Sequence, residues 1–210
     1  VHPAAVEVGI GHRFRPAGGA VSYALSATLG HNWYGGRNLS DYLRLEGSAE
    51  RSLGPRRAVQ FGIATERQWR RDAAIRSADS VTLSATLAQG LGNGDRLQIG
   101  LSGRHSASAS AEIAHDALAA RLSWERAESI AGIRIGASLG AESRRYGASF
   151  LAPGGRRDTR LNAELSLVFE RIDYMGFLPS LDLRASRARS NVVLHDGRDF
   201  GVSLGFRSAF

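Results

Sequence analysis

The chain has 210 residues and no cysteine, a length that suits one all-β domain and a composition without a disulfide framework or a thiolate metal site. Its formal net charge is +7, and all 27 of its lysine-plus-arginine residues are arginine. These arginines are dispersed rather than clustered with aromatic residues, which argues against nucleic-acid binding, and no run of about 18 apolar residues could form a transmembrane helix.

Short segments with period-2 alternation follow one another along the chain, and turn residues bound each of them. In the first segment, Val6, Val8 and Ile10 lie on one face, whereas Glu7 and Arg13 lie on the other. The pattern predicts eleven strands, each with an apolar outer face and a small or polar inner face. They lie at about residues 6–15, 20–32, 43–50, 59–69, 81–87, 97–101, 118–124, 133–140, 161–170, 181–186 and 200–210.

The connections between these strands are predicted to alternate strictly in length. Short turns lie at residues 16–19, 53–56, 92–95, 128–132 and 173–176, and long loops at residues 33–41, 70–79, 107–114, 149–158 and 190–199. Outer-membrane barrels combine short periplasmic turns with longer extracellular loops. The sequence therefore predicts an all-β fold, an antiparallel up-and-down transmembrane β-barrel in the outer membrane of a Gram-negative cell.

Aromatic residues gather near the predicted strand ends, as the interface girdles of such a barrel require. Near long loops these are Trp33, Tyr34, Tyr42, Trp69 and Phe150, and near short turns Phe14, Tyr23, Trp124, Tyr174, Phe177, Phe206 and Phe210. The closing strand carries Phe200, Val202 and Leu204 on the same face and ends on Phe210. We expect this strand to face membrane lipid and to be recognised by the barrel assembly machinery.

The strand number itself carries a prediction. Neighbouring strands of an up-and-down barrel run in opposite directions, so the first and the eleventh strand run the same way. If the closing strand runs from the cell surface to the periplasm, the first strand does so too. Bacterial single-chain barrels have even strand numbers. Residues 1–210 are therefore predicted to be the C-terminal part of a longer barrel whose upstream strands are absent from this chain. The alternative is a miscount by one strand around residues 107–116.

The inner face is predicted to carry charges of both signs. They form either a structural network of ion pairs or the lining of an aqueous path. The predicted inner-face charges are Arg13, Arg44, Glu46, Glu50, Glu66, Arg121, Glu125, Arg134, Glu164, Glu170, Asp182 and Arg184.

The sequence offers little catalytic chemistry. The six histidines form no metal-ligand pair at helical spacing and no His-Glu-x-x-His motif, and no Gly-x-Ser-x-Gly motif occurs. We predict no catalytic residue, no metal and no cofactor. A Ser/His site assembled in space remains an alternative.

Residues 140–210 carry a set of motifs in a fixed order. These are Glu142-Ser143-Arg144-Arg145-Tyr146, then Gly155-Arg156-Arg157-Asp158, then Met175-Gly176-Phe177-Leu178-Pro179, then Arg184 and Arg187, then Arg189-Ser190-Asn191-Val192, and the final Val202-Ser203-Leu204-Gly205-Phe206 with Phe210. With them this part of the chain resembles the C-terminal barrel domain of the surface lipoprotein assembly modifier family. Its family-motif residues would be Gly176, Pro179, Arg189, Ser190, Asn191 and Phe210.

The resemblance implies a barrel of about fourteen strands that follows a periplasmic helical-repeat domain. It also implies a non-catalytic translocator that assists export and display of surface lipoproteins through its lumen and lateral wall. Lipoprotein cargo and outer-membrane lipids would be its partners. The alternatives are a passive porin or other transport barrel and, third, a barrel enzyme that cleaves lipid or peptide.

Overall fold

A computed structural model describes residues 3–150, 152–172 and 175–208. These residues form one eleven-stranded antiparallel sheet in which the strands lie side by side in chain order. The strands are β1 (Pro3–Phe14), β2 (Val21–Tyr34), β3 (Arg37–Gly54), β4 (Arg57–Arg70), β5 (Ala78–Gly90), β6 (Arg96–Ser108), β7 (His115–Glu125), β8 (Ile133–Tyr146), β9 (Arg157–Phe169), β10 (Phe177–Ser190) and β11 (Gly197–Ser208). Two 3-10 turns, Ala74–Arg76 and Val193–His195, interrupt the connections. Within the described residues, no helix is long and apolar enough to cross a membrane.

The strand count and the up-and-down order confirm the predicted fold class. A single connection at residues 109–114 separates β6 from β7, so the alternative of a miscounted strand around residues 107–116 is wrong. Each strand pairs antiparallel with the next one in the chain, and such pairs need only short connections. Among the described residues, β1 pairs only with β2 and β11 only with β10.

Along the middle of the strands the apolar side chains face away from the charged ones, as the alternation predicted. Among the described residues the buried hydrophobic side chains are Ala152 and Val168 alone, at 6% and 5% exposure. In contrast, Leu161 is 54% exposed, and Ile10, Leu118 and Leu204 on other outward rows are exposed as well. A soluble protein would expose such a continuous apolar surface only at a cost, whereas hydrocarbon would cover it.

The strict alternation of connection lengths is wrong at the first predicted loop. β2 and β3 extend towards each other through residues 33–41 until only Gly35 and Gly36 connect them. Both glycines have positive φ, 60° and 76°, which suits a two-residue hairpin turn that twists with its strands. The alternation is also wrong further along the chain. Connections at residues 126–132 and 170–176 are longer than predicted, because the strands before them end earlier, and they exceed the connections at residues 109–114 and 191–196.

Tyr42 is a second correction, because it belongs to the inner face rather than to an aromatic girdle. Its ring lies over Gly30, where a Cβ atom would collide with it, and its hydroxyl donates to the Glu7 carboxylate. Phe14 and Tyr23 do stack on the outer face near a short turn, with ring centroids 5.5 Å apart. The predicted girdle residues Tyr174 and Phe210 lie outside the described residues.

Candidate functional site

One cluster of charged side chains joins β3, β4 and β6 on the inner face. The strand register places Arg44 opposite Glu66, and Arg44 Nη1 lies 3.7 Å from Glu66 Oε2. Arg44 Nη2 also lies 2.6 Å from Glu46 Oε1. From β6, Arg104 Nη2 lies 3.4 Å from Glu66 Oε1 and donates to Ser80 Oγ at 2.9 Å. The three predicted charges Arg44, Glu46 and Glu66 therefore form one connected network.

A second cluster joins β7, β9 and β10, with Glu164 at its centre. Arg121 Nη2 lies 3.1 Å from Glu164 Oε2, and Arg184 Nε lies 3.1 Å from Glu164 Oε1. Arg121 also donates to Ser138 Oγ on β8 at 2.7 Å. A single carboxylate thus bridges two cations from different strands. The geometry holds four neighbouring strands together on the inner face.

Two further ion pairs lie towards the short-turn end of this face. Arg134 donates to Glu170, and Arg207 Nη2 lies 3.1 Å from Asp182 Oδ1. Arg207 also donates to Ser166 Oγ at 2.7 Å, so that β9, β10 and β11 are tied together. The predicted charges on this face are thereby largely paired.

The structure adds three polar residues that the sequence analysis did not assign to the network: Tyr42, Arg104 and Arg207. The period-2 pattern could have identified them, because all three occupy inner-face positions of their strands. Three predicted inner-face charges, Arg13, Glu50 and Glu125, have no ion-pair partner within the described part of the chain.

A cavity of about 240 Å³ opens on the inner face beside the second cluster. Charges of both signs and small polar residues surround it, and Val168 forms part of its floor. It is lined by Arg96, Gln98, Arg121, Ser123, Trp124, Glu125, Arg134, Gly136, Ala137, Ser138, Glu164, Ser166, Val168 and Arg207. Such a surface can hold water and contact a polar polypeptide chain. Because its charges are of both signs, it does not favour a ligand of one particular charge.

Asp95 links two turns at the short-turn end. Its carboxylate accepts a hydrogen bond from the Ala127 backbone N–H at 3.1 Å and from Trp124 Nε1 at 2.9 Å. The Ala127 amide and then the Trp124 indole favour the ionised form and hold the pKa of this carboxyl below its usual value of 3.8. Asp95 therefore fixes the β5–β6 turn against the β7–β8 turn.

The family-motif residues occupy turns and strand ends. Asn191 Oδ1 accepts from the Arg157 backbone N–H at 2.8 Å, and Asn191 Nδ2 donates to the Gly155 carbonyl at 2.9 Å. Asn191 thus ties the β10–β11 connection to the β8–β9 connection. Beside it, Ser190 Oγ accepts from the Val192 N–H at 3.0 Å.

The other motif residues divide between the two ends of β10. Gly176 has φ 82° in the turn before β10, and Pro179 lies just before the β9–β10 ladder, which begins at Ser180. Arg189 lies at the far end of β10 on the outward-facing row. Phe210 lies outside the described residues.

The described residues contain two histidine–aspartate pairs but bring no nucleophile to them. His31 Nδ1 contacts Asp41, while its Nε2 lies 3.3 Å from Asn38 Oδ1. His105 Nδ1 lies 2.7 Å from Asp116 Oδ1, and both side chains are largely exposed. No group of three metal-ligating side chains occurs in the part of the chain that the structure describes. A nucleophilic mechanism needs a hydroxyl or thiol hydrogen-bonded to the base.

Comparisons with known proteins agree with this geometry. The family model described as surface lipoprotein assembly modifier matches residues 3–210. Comparison with curated protein sequences found no match.

Solved structures with a similar fold are outer-membrane β-barrels. Acinetobacter baumannii OccAB3 is 9% identical with a TM-score of 0.54, and the match covers 87% of this chain and 54% of OccAB3. The β domain of the Bordetella autotransporter BrkA is 13% identical with a TM-score of 0.47, covering 99% and 91%. A Pseudomonas aeruginosa ferric enterobactin receptor, PfeA, is 12% identical with a TM-score of 0.45, covering 96% and 39%. At these identities the likeness concerns the fold alone.

Proposed function

The chain belongs to the surface lipoprotein assembly modifier family and is an outer-membrane β-barrel protein, and from that premise we propose that it assists the export and display of surface lipoproteins. In this proposal it is a non-catalytic translocator that acts through its lumen and lateral wall. The observation that carries the proposal is the family match, which runs through the whole described sheet rather than through one motif.

The inner face supports a role in guiding a polypeptide. Its charges alternate in sign between Arg44, Glu66 and Arg104 and again between Arg121, Glu164 and Arg184. Paired charges keep the surface hydrated without a strong field of one sign, so an extended chain of mixed composition can pass without being trapped. The exposed outward apolar rows support a lateral wall that would meet lipid and the acyl chains of a lipoprotein.

The decisive experiment removes the gene and measures surface lipoproteins on intact cells by antibody labelling and protease accessibility. We expect surface display to fall while total lipoprotein stays constant, and the wild-type gene supplied in trans should restore it. A control barrel assembled by the same machinery should remain at wild-type level. Unchanged display would contradict the proposal.

A passive transport barrel is the second candidate, and the polar cavity on the inner face favours it. A continuous aqueous path would give a stable open conductance when the full-length protein is inserted into a planar bilayer. Stable conductance together with normal lipoprotein display in the deletion strain would support the porin function. Conductance that is absent or transient would support the translocator.

We also propose that the barrel contains strands beyond the eleven described. Eleven is an odd number, and the edges of β1 and β11 have no partner among the described residues. In hydrocarbon each unpaired N–H and C=O group costs several kcal/mol, so a stable barrel must satisfy both edges. Cysteines introduced at β1 and β11 should not form a disulfide if other strands lie between them. A β1–β11 disulfide would contradict the larger barrel.

β11 is the strand that we propose the barrel assembly machinery recognises. Its outward row of Phe200, Val202, Leu204 and Phe206 is strongly exposed along its whole length. Replacing Phe206 and Leu204 by serine should slow insertion into the outer membrane and raise the unassembled fraction seen by gel mobility. The matched inner-face change of Ser203 to alanine should leave assembly unaffected.

A further inference from the structure

Five arginines form a basic surface on the outward-facing side of the sheet, at the end of β8–β11 that carries the β8–β9 and β10–β11 connections. We define this surface as the outer arginine face: Arg145, Arg157, Arg187, Arg189 and Arg198. All five side chains are exposed. They share the parity of the apolar outward rows, so they point towards the membrane side and not into the lumen.

The strand register brings these arginines together. Arg145 on β8 lies directly opposite Arg157 on β9, and Arg187 on β10 lies directly opposite Arg198 on β11. Arg189 lies two residues further along β10, on the same face and opposite Thr159. Like charges placed directly opposite each other on a sheet destabilise it. The arrangement therefore requires something that offsets the repulsion.

No carboxylate in the described residues supplies that offset. None of the five side chains takes part in an ion pair, in contrast to the arginines of the inner face. In register, Asp116 lies opposite Arg145, and its carboxylate is already held by His105 at 2.7 Å. Asp196 lines a depression with Arg187, Arg189 and Arg198, but its Oδ1 accepts the Ser190 N–H at 2.6 Å and it forms no ion pair with them. Two arginine–arginine pairs thus remain available to external anions.

A shallow apolar groove of about 620 Å³ crosses the outer face of β6–β10 beside this surface. Residues that lie directly opposite one another in register line it: Ile99, Leu122, Leu139, Ala163 and Ala185. Of the outer arginine face, Arg187 lines the groove. Small side chains at Ala163 and Ala185 leave the depression between larger neighbours. The groove has the chemistry of an acyl-chain site, and the arginines beside it have the chemistry of a phosphate site.

We propose that the outer arginine face and this groove bind a phosphorylated, multiply acylated glycolipid of the outer leaflet. Guanidinium groups bind phosphate oxygens bidentately, and paired arginines match a headgroup that carries more than one phosphate. The longest described connection, residues 147–156, lies at this end of the sheet, which favours the extracellular side. This proposal does not rest on the proposed role in lipoprotein export.

The test uses the full-length protein purified in mild detergent and native mass spectrometry with added lipid. The probe is bis-phosphorylated lipid A, compared with its dephosphorylated form and with phosphatidylglycerol. We expect retention of lipid A by the wild-type protein and loss of it on dephosphorylation. Retention of phosphatidylglycerol to the same extent would overturn the proposal, because it would show a general attraction for anionic lipid.

The variant for this test combines Arg187→Gln, Arg189→Gln and Arg198→Gln. The matched control removes three exposed arginines elsewhere, Arg51→Gln, Arg56→Gln and Arg171→Gln, so that the net charge is equal. We expect lipid A affinity to fall on the order of tenfold or more in the first variant, since it loses several charge-assisted hydrogen bonds, and to stay unchanged in the control.

Heat-modifiable gel mobility of both triple variants establishes that each one is folded before lipid is added. Equal lipid A retention by wild-type protein and the Arg187/Arg189/Arg198 variant would overturn the proposal. An equal loss in the control variant would also overturn it, because net charge alone would then explain binding. Vesicles of the same lipids provide a second measurement if the variant is less stable in detergent.

Discussion

The arginines of the inner face and those of the outer arginine face have the same chemistry but different surroundings. On the inner face, Arg121 and Arg184 share Glu164, and Arg207 pairs with Asp182. On the outer face, Arg187 and Arg198 lie opposite each other with no carboxylate partner among the described residues. One surface is internally compensated, whereas the other needs an external partner.

The face on which an arginine lies does not by itself show whether its charge is compensated. The residues that strand pairing places beside it decide this. Arginines on the lumen side meet carboxylates from strands far apart in sequence and stabilise the sheet. The arginines of the outer arginine face meet one another at the edge of the apolar rows, where long side chains can reach the headgroup region. Substitutions on the two faces test this contrast.

Adjacent positions of β5 allow the two faces to be compared directly. Leu83 points outward and is 59% exposed, whereas Ser84 points inward. Leu83→Arg should lower the free energy of unfolding in lipid vesicles by about 2–4 kcal/mol, the cost of a charge near the bilayer midplane. Ser84→Arg, the control on the inner face, should cost much less. Similar costs for both would contradict the assignment of the faces.

Glu164→Gln tests whether the inner network contributes to stability. It leaves Arg121 and Arg184 without their shared carboxylate, so we expect the free energy of unfolding to fall by about 1 kcal/mol in a partly solvated site. Glu125→Gln is the matched control, because Glu125 has no ion-pair partner among the described residues. Denaturant unfolding of both variants measures the difference. An equal loss in the control would show that the network adds nothing.

Acid should weaken the interactions made by carboxylates, because carboxylates become protonated, whereas arginines keep their charge. The pKa of Asp95 is lowered in the folded state by the Ala127 amide and the Trp124 indole. Its contribution is therefore fully present above its ordinary pKa of 3.8 and is lost as the pH falls through the lower folded value. Asp95→Asn should lower the denaturant concentration at the midpoint of unfolding at pH 7. The difference in this midpoint between the variant and the wild-type protein should shrink in strong acid. A difference that is constant with pH would contradict this.

The smallest effect is expected at Asn191, which connects two loops at the end that carries the outer arginine face. Asn191→Ala removes the hydrogen bonds to the Arg157 amide and the Gly155 carbonyl. Hydrogen exchange of residues 147–156 should accelerate severalfold, with little change in global unfolding, because the loops open locally. Val193→Ala, an exposed change in the same connection, should leave the exchange rates unchanged. Equal rates in the Asn191 variant would show that the loops do not depend on this link.

Sequence reasoning recovered the faces of the sheet because a strand has a fixed side-chain period. Leu161, Leu165 and Glu164 fall on their observed faces once the strand around residues 161–170 is recognised. The same reasoning placed Arg44, Glu66, Arg134 and Glu170 on the inner face. It failed at residues 33–41, where polar composition indicated a loop but two glycines with positive φ allow the strands to continue.

The sequence by itself determined the number of strands, their antiparallel order and the face to which most side chains belong, because these follow from local alternation and turn chemistry. Only the tertiary structure decided which charges meet. Arg121 and Glu164 lie on β7 and β9, with β8 between them, so their contact depends on two strand registers that no local pattern specifies. The same registers place arginines of the outer arginine face opposite one another. For this reason only the folded sheet shows that these arginines have no carboxylate partner among the described residues.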